Sequence, residues 1–346
     1  MVESLHSGHG IGIGDTHGPT LRLVGEASDS IAVFTAADDG FHAHLGGDDW
    51  WFTETAWFSF HHAERKLGGW LYTMARHNIG TIAGGAWVWD DTTHLPWEVL
   101  YSSNLTALAL PPELDLRAAT LPNGVSIEVE VPTMSYRLGF DDPHRFSADL
   151  RFEAVLPPRP LTAGDSTFGH SAHFDQIGHV TGSIEVNGDH IGIDCWSMRD
   201  RTWGRRPEDR PRQAAYVTGA GEGGSGFLAV TNTRDGEDRV AYGFVQRGDT
   251  QVTLIGGERS VRRSAEGWIA EIRIDAVDAA GDRFGAVGHP VSRIVINRHS
   301  FIDINSLIRW EVEGAGTWWG EDQDMWPTHR FAAAKRSGDW SIGSRR

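Results

Sequence analysis

Two segments of this 346-residue chain bring together residue types suited to acid chemistry. One runs His173-Phe174-Asp175-Gln176-Ile177-Gly178-His179-Val180-Thr181-Gly182-Ser183-Ile184; the other is Arg199-Asp200-Arg201-Thr202-Trp203-Gly204-Arg205-Arg206. Asn187-Gly188 between them is the turn signal of a β-hairpin, so the two polar clusters are predicted at its two ends. A carboxyl flanked by arginines and an indole at a strand end is either a site or a buried charge network that holds the fold. In the second case Asp200 is the hub of salt bridges to Arg199 and Arg201.

Glu54 is the second acid of interest. It lies in a segment where Trp51 and Trp57 on one parity, and Trp50, Phe52, Phe58 and Phe60 on the other, make both faces apolar. A carboxylate there either faces a pocket, where burial would raise its pKa, or pairs with an arginine such as Arg76. His61 and His62 end the same segment, so alternation turns one of them inward and leaves the other at the rim.

Several motifs carry less than their letters suggest. Gly219-Ala220-Gly221-Glu222-Gly223-Gly224 matches the dinucleotide fingerprint, yet Gly226 to Thr231 behind it reads as another strand, where phosphate binding needs a helix N-terminus. His42 with His44, and His170 with His173 and His179, have the alternate spacing of metal ligands on one strand face, but no HExxH or matched carboxylate cluster accompanies them. There is no GxSxG elbow, and Cys195 beside Trp196 reads as a small core residue. No metal and no cofactor are expected.

The elements that must position these groups are strands. The chain has 15 Trp and 42 Gly: indoles favour strands and line concave apolar sites, and glycines serve tight turns. Val125, Ile127, Val129 and Val131 alternate with polar residues, and Trp268, Ala270, Ile272, Ile274 and Ala276 form a second period-two face. Further segments recur at Leu21 to Val24, Asp49 to Phe60, Trp70 to Ala75, Phe146 to Val155, Gly226 to Asn232, Val240 to Gln246 and Val291 to Asn297. Helical periodicity is nearly absent; Glu208 to Arg212 reads as a short helix or a loop. The proline cluster Leu156-Pro157-Pro158-Arg159-Pro160 cannot join a central strand and marks a boundary. The expected organisation is a flexible N-terminus over 1–20, β domains over 21–160 and 161–335, and a tail over 336–346.

Lys+Arg 31 against Asp+Glu 47 gives a formal charge of -16, which argues against a nucleic-acid binder. One cysteine excludes intrachain disulfides and thiolate zinc clusters. Neither a signal peptide nor a transmembrane run is present, so a cytoplasmic location is expected.

The chain resembles the two-domain lipocalin-like superfamily that includes carotenoid 1,2-hydratases and fungal Diels-Alderases, particularly its bacterial relatives. The residues that carry the likeness are Asp49-Trp50-Trp51-Phe52-Thr53-Glu54 with Trp57-Phe58-Ser59-Phe60, Gly69-Trp70, His173 to Gly182, and Asp200 to Gly204, within residues 48–330. The family pattern Asp-His-x-Trp-Gly has Arg201 in place of its histidine here. The resemblance implies an all-β protein of two β-barrel or half-barrel domains packed together, with few short helices, around an apolar pocket whose chemistry needs no redox cofactor. In the carotenoid hydratases an aspartate is thought to protonate a carbon–carbon double bond before water captures the cation, and Asp200 matches that motif position. Such an acid must be kept protonated by burial, and indole faces must stabilise the developing charge. Asp200 and Glu54 are the expected catalytic residues. Trp51, Trp57, His62, Trp70 and Trp87 are expected to bind substrate, as are His173, Gln176, Trp196, Arg201 and Trp203.

The expected partner is a terpenoid, steroid or polyketide-like molecule that undergoes hydration, dehydration, isomerisation or cyclisation. The rival is a non-catalytic carrier of such a ligand. A sugar-processing sandwich would instead need two acids facing one groove at roughly 5–10 Å.

Overall fold

The alternating segments fold as strands in a computed structural model that describes residues 34–160, 172–207, 213–234, 236–298 and 300–340. Ten of them form one antiparallel sheet: β1 (Phe52–His62), β2 (Leu67–Arg76), β3 (Thr81–Trp89), β4 (Tyr101–Ala109), β5 (Ala118–Thr120), β6 (Val125–Val131), β7 (Ser135–Asp142), β8 (Phe146–Ala154), β9 (Ala172–Val186) and β10 (Asp189–Arg205). Their order, β4-β3-β2-β1-β10-β9-β8-β7-β6-β5, joins two meanders of sequential neighbours through one long-range pairing, β1 with β10. That pairing sets Trp57 opposite Asp200. The β9–β10 hairpin turns at Asn187 (φ 52°) and Gly188 (φ 84°), the two left-handed residues a tight hairpin requires.

The remaining eight strands close a barrel: β11 (Ala214–Ala220), β12 (Gly226–Arg234), β13 (Glu237–Arg247), β14 (Thr250–Arg263), β15 (Ile269–Asp278), β16 (Arg283–Arg298), β17 (Phe301–Val312) and β18 (Gly316–Pro327). The short helix α1 (Ala43–Gly46) precedes the sheet and α2 (Thr328–Ser337) follows the barrel. The all-β architecture of a half-barrel sheet and a closed barrel is therefore the one expected from the sequence. Among the described residues no helix is long and apolar enough to cross a membrane.

Three differences from the sequence reading have physical causes. The proline cluster does not end the first sheet, because β9 and β10 return beyond it and add to β8 and β1. A chain break in pairing at proline is local, whereas sheet membership is decided by where the next strand docks. Passage from sheet to barrel falls between Arg205 and Ala214 instead. In β15, a register shift between Arg262 and Arg263 opposite it turns Ile269 inward beside Ile272, Ile274 and Ala276, so Trp268 and Ala270 leave the expected core face. Third, residues 336–337 close α2 rather than beginning a tail. The N-terminal 1–20, the strand at Leu21 to Val24, His170, Glu208 to Arg212 and residues 341–346 lie outside the described residues.

Sequence parity sorts the buried apolar side chains of the described residues into four clusters, the smallest made of Phe34, Phe52, Ala172, Phe174 and Trp203. One face of the sheet buries Ala56, Phe58 and Phe60 with Val88 and Tyr101 from one end and Leu138 and Phe152 from the other, which requires the sheet to curl on itself. The barrel interior is filled by side chains such as Phe227, Ile272, Phe284, Trp310 and Trp318. Between sheet and barrel, Trp57, Trp70, Trp87, Trp89 and Met198 meet Leu228, Val230, Phe244, Ile294 and Ile296. The glycine-rich Gly219 to Gly224 ends β11 and enters the β11–β12 hairpin turn; a side chain at Gly224 (φ 78°) would strike Val155 at 2.5 Å.

Candidate active site between sheet and barrel

The aromatic layer between sheet and barrel does not close everywhere. It leaves a cavity of about 320 Å³ whose sheet wall carries Thr55, Trp57, Trp70, Tyr72, His173, Asp200 and Thr202. Its barrel wall carries Tyr216, Val230, Tyr242, Asp303, Gln323 and Met325, with Arg206, Arg298 and Phe301 completing the lining. A neighbouring cavity of about 230 Å³ shares Tyr72, Arg206, Arg298 and Phe301 and includes Trp87. Trp57 sits edge-on to Trp70 at 5.8 Å and to Tyr216 at 6.0 Å, so rigid rings from both layers shape the space.

Asp200 reaches the cavity because it shares a strand face with its cross-strand neighbours. Directly opposite it on β9 is Asp175, and opposite Thr202 is His173. The Thr202 hydroxyl donates to Asp200 Oδ2 at 3.1 Å, and His173 Nδ1 lies 2.7 Å from that hydroxyl and 3.8 Å from the same carboxyl oxygen. His173 Nε2 contacts Asp175 Oδ2 at 2.8 Å, while the Tyr216 hydroxyl donates to Asp175 Oδ1. Asp200 Oδ1 has no hydrogen-bond partner among the described residues.

This arrangement moves each group's proton affinity in a definite direction. Burial pushes the Asp200 carboxyl above the usual aspartate range, with Asp175 adding to the rise and His173 and Arg206 opposing it. Burial lowers the basicity of His173, but Asp175 and Asp200 outweigh it and the imidazole stands above its ordinary value. Burial, reinforced by Asp175, raises the phenol of Tyr216 well above its normal range, and burial does the same for Tyr242. A carboxyl that holds its proton more tightly than an ordinary aspartate, beside an imidazole likewise raised, in an aromatic cavity, is suited to deliver a proton to an apolar ligand.

The salt-bridge hub expected around Asp200 does not form. Arg199 and Arg201 flank it on the strand and therefore point through the sheet to its other face. There Arg199 donates to Gln176 Oε1 at 2.8 Å and to the Tyr136 hydroxyl at 2.6 Å. Arg201 donates to Glu54 Oε2 at 2.7 Å and to the Gly40 carbonyl at 2.7 Å.

Glu54 consequently leaves the list of cavity acids. It is 1% exposed on the face away from the cavity, with His42 Nδ1 3.1 Å from its carboxylate. Burial raises its carboxyl, yet Arg201 and His42 outweigh that and hold it below the usual glutamate range. Its arginine partner is Arg201 and not the expected Arg76, which donates to Thr53 Oγ1 at 3.2 Å.

Of the expected substrate-binding residues, Trp57, Trp70 and His173 line the main cavity and Trp87 the neighbouring one. The others stand elsewhere. Gln176, Arg201 and Trp203 belong to the sheet's opposite face, where Trp203 stacks on His42 at 3.8 Å and the Gln176 amide donates to the Thr133 and Leu156 carbonyls. Trp51 lies under Arg76, and Trp196 stacks on His179 at 4.8 Å. The inward histidine of the β1 end is His61, stacked on Trp319 and lowered to about 4 by burial; His62 is the rim residue.

The sequence reading passed over Asp175, Thr202, Tyr72, Tyr216, Tyr242, Arg298 and Asp303. Period two from His173 and Asp200 would have found the first two. The rest come from other hairpins and had no local signal. The departure at Arg201 removes no imidazole from the cavity, since position 201 faces away from it and His173 supplies the ring.

The chain belongs to the family described as Domain of unknown function (DUF7064), whose model matches residues 35–322. None of the curated proteins matches its sequence. Among solved structures it is similar to kievitone hydratase from Nectria haematococca, with 11% identity and a TM-score of 0.56 over 87% of this chain and 95% of that one. It is also similar to CghA, with 9% identity and a TM-score of 0.53 over 80% of this chain and 88% of that one. At these identities the shared property is the fold, and it is the two-domain lipocalin-like fold that the motifs resemble.

Proposed function

We propose that this DUF7064 protein is an enzyme that takes a hydrophobic small molecule into the cavity between sheet and barrel and transforms it with Asp200 as general acid. The observation that carries this reading is the state of Asp200: raised by burial, lining a cavity walled by Trp57, Trp70, Tyr72 and Tyr216, and, among the described residues, in no arginine ion pair. Protonation of a carbon–carbon double bond leaves a cation, which the faces of the surrounding aromatic rings stabilise. The name of one structural relative, a hydratase, agrees with addition of water to such a bond. Isomerisation and cyclisation begin with the same proton transfer. Neither a metal nor a redox cofactor has a role in this mechanism.

The test is turnover in deuterated buffer of a panel of terpenoid and prenylated alkenes and tertiary alcohols. The expected product carries one deuterium on carbon, and Asp200→Asn abolishes its formation while still binding the ligand. A carrier would show ligand-dependent tryptophan quenching, with no label and no product for any member of the panel. That result would replace the enzyme reading.

A further inference from the structure

The barrel wall of the cavity holds a second acid, also raised by burial but paired with an arginine. Asp303, on β17, is 1% exposed and lines the same cavity as Asp200. Arg298 Nε holds its Oδ2 at 3.1 Å, and the Arg298 guanidinium rests over the rings of Tyr72 at 5.2 Å and Trp70 at 5.8 Å. Asp303 Oδ1 has no hydrogen-bond partner among the described residues. A buried acceptor left without a donor is unfavourable, and a bound water or ligand hydroxyl supplies the missing donor. The two acids thus differ in their partners: Asp303 is matched by an arginine, Asp200 by an imidazole already engaged with Asp175.

We propose that Asp303 is the base of the reaction, holding the water that adds to the ligand and accepting its proton. The inference rests on the reading of the cavity as a site of acid-assisted addition. The Asp200 O–H bond breaks as the π electrons of the double bond form a C–H bond, leaving a cation on the neighbouring carbon. Water forms the C–O bond and its proton passes to the Asp303 carboxylate; burial raises that carboxyl above the usual aspartate range, which strengthens it as a base, and the Arg298 ion pair opposes the rise and favours the charged form. Hydrogen and hydroxyl have then been added across the double bond, Asp200 is ionised and Asp303 protonated. One proton exchanged with solvent at each group restores the start. Dehydration is the reverse, with Asp303 protonating the departing hydroxyl.

Partition of the cation tests this assignment. In deuterated buffer with geraniol and geranylacetone as probes, the wild type yields labelled alcohol. Asp200→Asn yields neither alcohol nor labelled alkene. Asp303→Asn still protonates carbon but captures water poorly, so labelled, isomerised alkene replaces alcohol and the alcohol-to-alkene ratio falls by about 100-fold, the size of one acid–base contribution. Asp303→Glu restores alcohol in part, which a merely structural loss would not permit. Since Asp303→Asn strands Arg298, its circular dichroism and melting are measured alongside; if it does not fold, Asp303→Glu and Arg298→Lys must each lower the same ratio. A folded Asp303→Asn protein with the wild-type ratio, in an active enzyme, overturns the role of Asp303 and leaves that of Asp200 standing. A wild type without product or label from any alkene overturns both.

Discussion

The β1–β10 strand pair presents Glu54, fully buried, on one face and Asp200, largely buried, on the other, and the two are treated differently. Glu54 accepts from Arg201 at 2.7 Å and has His42 at 3.1 Å, so it is held ionised. Through the sheet, Asp200 has the Thr202 hydroxyl at 3.1 Å and the His173 ring at 3.8 Å, with Asp175 as an unfavourable neighbour, and its carboxyl is raised above the usual aspartate range. Burial alone raises both carboxyls; the charge placed beside each decides the outcome. The barrel supplies a third case. Arg259 meets Asp322 at 2.7 Å and Asp238 at 2.6 Å, and Arg263 meets Asp324 at 2.7 Å, so those acids are matched by cations in the barrel interior. Glu54 and these barrel acids stand against arginine side chains away from the cavity, whereas Asp200, at the cavity, stands against a hydroxyl and an imidazole.

The comparison breaks most visibly at Asp200. Asp200→Asn is expected to lower turnover by about 100- to 10,000-fold while the melting temperature stays near that of the wild type. A variant that melts early would return Asp200 to the structural class. The opposite pattern is expected on the other face: Glu54→Gln strands the Arg201 charge, and breaking a buried pair costs roughly 3–5 kcal/mol. Chemical denaturation reads that loss directly, and an unfolding free energy within about 1 kcal/mol of the wild type would remove the distinction between the two faces.

Glu321 sharpens the comparison through pH. It receives hydrogen bonds from Trp70 Nε1 at 2.7 Å and Asn305 Nδ2 at 2.9 Å, and burial pushes its carboxyl up to about 8 from 4.5. The folded state therefore binds a proton that the unfolded chain releases between those two values. Its stabilising contribution is complete below pH 4.5 and falls as pH rises toward 8, with a slope of at most about 1.4 kcal/mol per pH unit. Glu54 works in the opposite sense, its contribution present above its unfolded pKa and lost in acid as pH drops through its lowered folded value. Denaturation curves of Glu321→Gln between pH 5 and 8 should be flatter than those of the wild type; an unchanged slope would show that Glu321 is ionised throughout.

The smallest effect is expected at Thr202. Its hydroxyl joins His173 to Asp200, and Thr202→Val removes a hydrogen bond worth about 0.5–1.5 kcal/mol. Turnover should fall by up to about tenfold with the pH–rate profile displaced, because the Asp200 carboxyl loses a donor to its charged form. A profile that superimposes on the wild type's would place Thr202 outside the proton path.

How much of this was legible beforehand depends on sequence distance. Alternation identified strands such as β6 and β8, and Asn187-Gly188 marked the hairpin that brings Asp175 to Asp200. The same alternation already separates Asp200 from Arg199 and Arg201, because consecutive strand residues face opposite ways. It could not reveal that Arg201 would answer Glu54 rather than Arg76, since the β1–β10 register is a long-range pairing. Tyr216 and Asp303 were likewise invisible, each reaching the cavity from a separate barrel hairpin.

The chain's own order of residues determined its strands, its main hairpin and the parity that divides side chains between two faces, because these follow from backbone geometry over a few residues. Tertiary structure decided which face of the sheet meets the barrel and which charge stands beside each buried carboxyl. Those outcomes depend on strands brought together across long stretches of sequence, and ionisation follows from the few ångströms between groups that no local pattern records.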